Sequence, residues 1–112
     1  MSARPLRVSV IGAGAMGSNH TRVVAGSDRA DLVAVVDQDL ERAAALAERF
    51  DSKAASLDEA LETSDAIIVA AATPAHHDLA VAIIAAGVPV LVEKPLASTL
   101  DDVRAIVTAA GD

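Results

Sequence analysis

The 112-residue chain has no cysteine, no tryptophan, no tyrosine and a single phenylalanine. The missing cysteine excludes disulfides and thiol chemistry and fits a reducing cytosol. The near absence of aromatics leaves the core to Ala, Val, Leu and Ile, which suits a parallel sheet covered by closely packed helices. Basic residues are also in short supply: nine Lys and Arg stand against sixteen Asp and Glu, a net charge of -7. Nucleic acid and anionic membranes both demand a basic surface, so neither is expected as a partner. No apolar run reaches the roughly eighteen residues that span a bilayer, and the longest, from Leu79 to Val92, is interrupted by Gly87 and Pro89. Arg4 and Arg7 ahead of an apolar stretch superficially resemble a secretory signal, but the glycines that follow explain that stretch better. One soluble, cytoplasmic domain is expected.

What is present is concentrated in Val8 to Gly17, VSVIGAGAMG. A β-branched run breaks into glycines and resumes as a helix, and Gly12, Gly14 and Gly17 stand in G-x-G-x-x-G spacing. Each glycine has a separate physical role. Gly12 permits the tight turn, Gly14 lets backbone N–H groups approach a pyrophosphate, and Gly17 lets the helix pack closely on the sheet. The backbone through Ala15 and Met16 then opens a helix whose free N–H groups and dipole point at the phosphates. Asp37, twenty residues beyond Gly17, ends the apolar run Leu32–Val36. At the tip of a second strand it can accept both adenosine ribose hydroxyls, and its charge favours NAD over NADP by repelling a 2′-phosphate.

Along the chain, strand and helix patterns alternate. Strands are expected at Leu6–Ile11, Leu32–Val36, Lys53–Ala55 (short at most), Ala66–Ala71 and Val88–Val92. Helices are expected at Ala15–Ala25, Leu40–Phe50, Ser56–Glu62, His76–Ala86 and Leu100–Ala110. Asp39, Ser56 and Ser98 or Thr99 read as helix caps, and Gly87 as a helix end. The pattern predicts an α/β, Rossmann-type doubly wound parallel sheet in the order 3-2-1-4-5. Gly12, Asp37, Thr73 and Lys94 then share the rim at the strands' carboxyl ends, where ligands bind in such sheets.

Taken together, GAGAMG at 12–17, Asp37, Thr73-Pro74, His76-His77, Ala86-Gly87 and LVEKPLA at 91–97 resemble the N-terminal domain of the Gfo/Idh/MocA family of sugar oxidoreductases. The likeness covers nearly the whole chain, and Glu93-Lys94-Pro95 is its most specific part. It implies NAD(P)-dependent transfer of hydride to or from a sugar, polyol or similar carbon. It implies further that Lys94 lies beside the nicotinamide and the substrate hydroxyl and assists proton transfer. Glu93 is expected to position that loop or to touch the nicotinamide ribose, and Pro95 to fix the turn. Thr73 and Pro74 are expected to close over the diphosphate and nicotinamide side. His76 is offset from the family histidine because only Ala75 separates it from Pro74, so His76 and His77 read as helix-start residues rather than catalytic bases. No metal site is expected, since adjacent histidines diverge on a helix and Asp78 does not complete a ligand set. His20 reads as a packing or surface residue.

Family members continue into a sixth strand and a substrate domain that completes the catalytic set. The resemblance therefore implies the cofactor half of a larger oxidoreductase, binding dinucleotide weakly by itself and self-associating through its open edge. Two other readings of the glycine turn remain at this point: a stand-alone dinucleotide-binding sensor, and an S-adenosylmethionine-dependent methyltransferase, which the third glycine and Glu93-Lys94-Pro95 disfavour.

Overall fold

The computed structural model describes residues 4–94 and 96–111. β1 (Leu6–Ile11) is followed by α1 (Ala15–Ala25), β2 (Ala30–Val36), α2 (Leu40–Glu48), α3 (Leu57–Thr63) and β3 (Ala66–Val69). A 3-10 turn over Thr73–Ala75 then leads into α4 (His76–Ala85), β4 (Val90–Val92) and α5 (Leu100–Ala110). Every strand pair is parallel, and the order across the sheet is β2-β1-β3-β4. The chain goes one way from β1 to β2 and the other way to β3 and β4. The reversal of order therefore falls between β1 and β3, the place where such sheets leave a crevice.

The expected order 3-2-1-4-5 needs correction to four strands. Lys53–Ala55 forms no strand but one bridge, Val35 to Ala54, held by Val35 N–H to Lys53 O at 2.9 Å and Ala55 N–H to Val35 O at 3.0 Å. The reason is room. Ser52 is tied through its Oγ to the Leu32 carbonyl at 2.9 Å, and Ser56 is already the cap of α3. The strand expected at Val88–Val92 starts only at Val90, because Val88 N–H bonds Ile83 O at 3.2 Å to finish α4 and Pro89 has no N–H to give. β3 ends at Val69 rather than Ala71, since its neighbour β1 turns away at Gly12. Pro95 lies outside the described residues.

Alternation along the strands sends successive residues to opposite faces. On one face Ile11, Val36, Ile67 and Val69 pack with Ala60 of α3 and Ile83 of α4. On the other, Val35 packs with Ala43, Leu46 and Ala47 of α2. α5 adds a third cluster, Ile106 against Ala80 and Ala97. Removing a fully buried branched side chain such as Ile67 or Ile83 should cost about 2–5 kcal/mol through lost burial and the cavity left behind. The helices that follow strands start at the strands' carboxyl ends, so the core positions four helix N-termini along one rim.

Candidate functional site

The glycine turn is fixed by backbone. Gly12 N–H donates to Val36 O at 2.7 Å, and its φ of +109° is one that side-chain-bearing residues rarely adopt. A Cβ at Gly12 would also stand 2.6 Å from the Ala70 carbonyl carbon, against β3's end. A Cβ at Gly17 would lie 1.6 Å from the Gly12 carbonyl oxygen, so α1 presses directly onto the turn. Gly14 differs. Its backbone is extended (φ -79°, ψ -161°), and a Cβ there would meet only the end of the Arg42 guanidinium at 3.4 Å. Packing within the protein therefore explains the first and third glycines but not the second, whereas a ligand approaching the backbone explains it.

α1 begins at Gly14 with no side-chain cap and no acid in its first turn. Two of its neighbours on the rim are capped: Asp39 accepts from Glu41 and Arg42 N–H at the start of α2, and Thr99 accepts from Asp102 N–H at the start of α5, while α4 has no side-chain cap but carries Asp78 in its first turn. The first N–H groups of α1 have no side-chain acceptor, and a helix start of this kind can take an anion. Ala15 and Met16 are exposed there, and Gly17 is buried beneath the turn.

Asp37 completes this corner. Ala13 N–H donates to its Oδ2 at 2.7 Å and Asp39 N–H to its Oδ1 at 2.8 Å, which fixes the carboxylate at the tip of β2. Arg42 Nη2 stands 3.5 Å from Oδ2. A cavity of about 590 Å³ runs along these groups, lined by Gly12, Gly14, Asp37, Arg42, Ala71 and Leu79 among others.

The other expected site residues stand along the rim but outside that cavity. Thr73 and Pro74 form the 3-10 turn between Ala72 and Ala75, which do line it. Glu93 and Lys94 follow β4. Glu93 N–H donates to Val69 O at 3.0 Å, its carboxylate accepts a hydrogen bond from His20 Nε2, and Lys94 is exposed. The His20 bond, with lesser help from the Lys94 backbone N–H and charge, holds the Glu93 carboxyl below the usual carboxylate range. His76 is buried and donates from Nε2 to Ala71 O at 2.8 Å, which ties the loop after β3 to the start of α4. His77 pairs instead with Asp78. Among the described residues no three His, Cys, Asp or Glu gather as a metal site, and no helix is long and apolar enough to cross a membrane.

Two residues have a larger part in this rim than their sequence context suggests. Arg42 is the third residue after the Asp39 cap, a position that faces back toward the β2 tip. His20 completes an i, i+3, i+4, i+7 stripe with Gly17, Thr21 and Val24 on the inner side of α1, and that spacing is the signal for it.

Comparison with known proteins bears on this geometry. A family model described as "Oxidoreductase family, NAD-binding Rossmann fold", that of the Gfo/Idh/MocA proteins, matches residues 6–112. Inositol 2-dehydrogenase 4 of Saccharopolyspora erythraea is 46% identical over 101 residues, covering 86% of this chain and 30% of that protein. Inositol 2-dehydrogenase of Acidothermus cellulolyticus is 42% identical over 111 residues, covering 95% and 33%. Among solved structures, GenD2 from gentamicin A biosynthesis in complex with NAD superposes with a TM-score of 0.90 at 40% identity over 96% of this chain and 32% of that one. The myo-inositol dehydrogenase of Lactobacillus casei, in complex with NAD(H) and myo-inositol, gives 0.87 at 31% identity over 95% and 33%. The chain thus spans about a third of the length of these relatives. By its motifs, its fold and this match, the chain belongs to the Gfo/Idh/MocA oxidoreductase family, as its NAD-binding Rossmann domain.

Proposed function

We propose that this chain supplies the cofactor side of a dehydrogenase that passes hydride between NAD and a hydroxyl-bearing carbon of a sugar or polyol. The observation that carries the reading is the single cavity shared by Gly12, Gly14 and Asp37, which joins an unfilled space at the middle glycine, an uncapped helix start and a fixed carboxylate. The dehydrogenases named among the relatives support it.

In this reading the N–H groups from Gly14 through Ala15, Met16 and Gly17 face the pyrophosphate, with Gly12 shaping the turn. Asp37 takes the adenosine ribose hydroxyls, with the weak Arg42 contact at 3.5 Å giving way to them. A 2′-phosphate would meet that carboxylate, and Arg42 offsets the repulsion only in part because it already faces Asp37. NAD is therefore the favoured cofactor and NADP the weaker one. Bound NAD supplies the hydride acceptor or donor. Thr73 and Pro74 cover the diphosphate and nicotinamide side, Glu93 holds its loop, and Lys94 exchanges a proton with the substrate hydroxyl as general acid or base.

In this reading residues 1–112 are one dinucleotide-binding domain of a protein about three times as long, the length of the relatives, and the further strand and substrate domain belong to its remainder. The cytoplasm is the expected location. The edge strand β4 and an apolar hollow lined by Val8, Val24, Ile68 and Leu91 favour self-association, which light scattering at high concentration reads directly: a strict monomer removes that part.

The test of the cofactor reading is a calorimetric titration with NADH and with NADPH, repeated on Asp37→Ala. NADH binding more tightly than NADPH, with the preference lost in the variant, is the expected result. Binding of neither nucleotide overturns the reading.

A further inference from the structure

α1 starts at the glycine turn over β1, whereas Lys94 emerges beyond β4, and β3 lies between those two strands. A side-chain contact crosses that gap. His20, in the second turn of α1, donates from Nε2 to the carboxylate of Glu93, and both side chains are three-quarters or more shielded from solvent. The Glu93 backbone is separately held by its N–H to Val69 O at 3.0 Å, the last ladder bond between β4 and β3. Residue 93 is thereby anchored at two points, main chain to β3 and side chain to α1, immediately before the exposed Lys94. β4 itself is three residues long and lies at the sheet edge, so the main-chain anchor is weakly supported.

We infer that His20 is a positioning residue for the nicotinamide half of the site: through Glu93 it fixes where the Glu93-Lys94 loop stands relative to the helix that receives the phosphates. This rests on the cofactor reading above and extends it to a residue outside the glycine motif, Asp37 and the Glu93-Lys94 pair. The reason for a side-chain tie here is geometric. The backbone that fixes Asp37 to the turn runs between the adjacent strands β1 and β2, but no backbone bond can join α1 to a loop two strands away. The same bond holds the Glu93 carboxyl below the usual carboxylate range, so the donor from His20 retains a charged acceptor across neutral pH.

The test compares two ligands on wild type, His20→Ala, His20→Gln and Glu93→Gln. ADP contains the adenosine and diphosphate but no nicotinamide riboside, so its affinity reads the glycine turn and Asp37. NADH reads both halves. In His20→Ala, NADH affinity should fall about tenfold while ADP affinity stays within about twofold. His20→Gln, which keeps an N–H donor, should recover most of the loss. As a check on the wild-type chain itself, the His20 Nε2–H resonance should be protected from solvent exchange, and protection should weaken in Glu93→Gln, whose neutral amide oxygen is the poorer acceptor. Equal weakening of ADP and NADH in His20→Ala assigns His20 to general packing and overturns the proposal. So does an unchanged NADH affinity, or an unprotected Nε2–H in wild type. Failure of wild type to bind either ligand removes the cofactor reading first and this inference with it.

Discussion

At the tips of β1 and β2 the donors that hold the site are main-chain N–H groups. Gly12 donates to Val36, Ala13 to Asp37 and Asp39 to Asp37, all within 2.8 Å, and the first and third glycines leave no space where a side chain could stand. At the tips of β3 and β4 the strands are four and three residues long, Lys94 is exposed, and beyond the ladder bonds of Ala70 and Glu93 N–H the ties come from side-chain donors: His76 to Ala71 O, His20 to the Glu93 carboxylate. The first corner is fixed by the chain's own bonds, which in the proposed function suits recognition of an invariant adenosine diphosphate. The second is anchored at fewer points, which in the proposed function suits a corner that meets both a nicotinamide ring and a substrate.

The sharpest way to break that comparison is to add one methyl group at each glycine. Gly17→Ala drives a Cβ into the Gly12 carbonyl, and since both partners are backbone the helix must move; the loss should reach the upper end of about 1–3 kcal/mol in urea unfolding. Gly14→Ala should do the reverse. Its Cβ displaces only a flexible guanidinium, so stability should stay within about 0.5 kcal/mol. NADH affinity should nevertheless fall by about tenfold or more, roughly 1.4 kcal/mol. If Gly14→Ala unfolds the chain as Gly17→Ala does, the middle glycine serves the fold and the division of labour in the turn is wrong.

A smaller effect sharpens the same contrast at the start of α2. Asp39 caps two N–H groups of that helix, and its own N–H holds Asp37. Asp39→Ala removes the cap but leaves the backbone N–H in place. A loss of about 1 kcal/mol in thermal or urea unfolding is expected, with NADH preference over NADPH preserved. Loss of that preference would mean that the corner depends on the Asp39 side chain as well as on its N–H.

The same contrast explains which parts are legible in the sequence. β1, α1 and the caps at Asp39, Ser56 and Thr99 are local: each is set by residues within a few positions, and each stands where the spacing puts it. The bridge at Ala54 and the three-residue β4 are shorter than their apolar runs imply, because strand length at a sheet edge is decided by what the partner strand and the preceding helix leave free, as Ser52 and Val88 show. His20 lies 73 positions from Glu93, and the pairing exists only once α1 and β4 are placed on one sheet. Arg42 is invisible in the residues immediately after Asp37, since it takes a capped helix to bring the first turn back to the strand tip.

The smallest expected effect concerns acid. Far from the rim, at the amino ends of β1 and β3, Asp65 accepts from the Arg7 guanidinium (Nη2 at 3.2 Å) and from Arg7 N–H at 2.9 Å, and these bonds hold its carboxyl below the usual range. Glu93 is held low by His20. A carboxyl lowered by folding stabilises the native chain fully above its unfolded value near about 4, and that contribution disappears as pH falls through the folded value. Both groups remain accessible to solvent, so screening keeps each effect small and added salt should shrink it further. Unfolding midpoints measured from about pH 6 down to about 2.5 should show an acid limb that Asp65→Asn flattens, with no change in nucleotide affinity at neutral pH. Glu93→Gln should flatten it less, because Glu93 lacks the paired guanidinium of Asp65, yet it alone should weaken NADH. A Glu93→Gln chain that loses acid stability without losing NADH affinity would make the two ends of the sheet equivalent, and the second corner would then owe nothing to its side-chain tie.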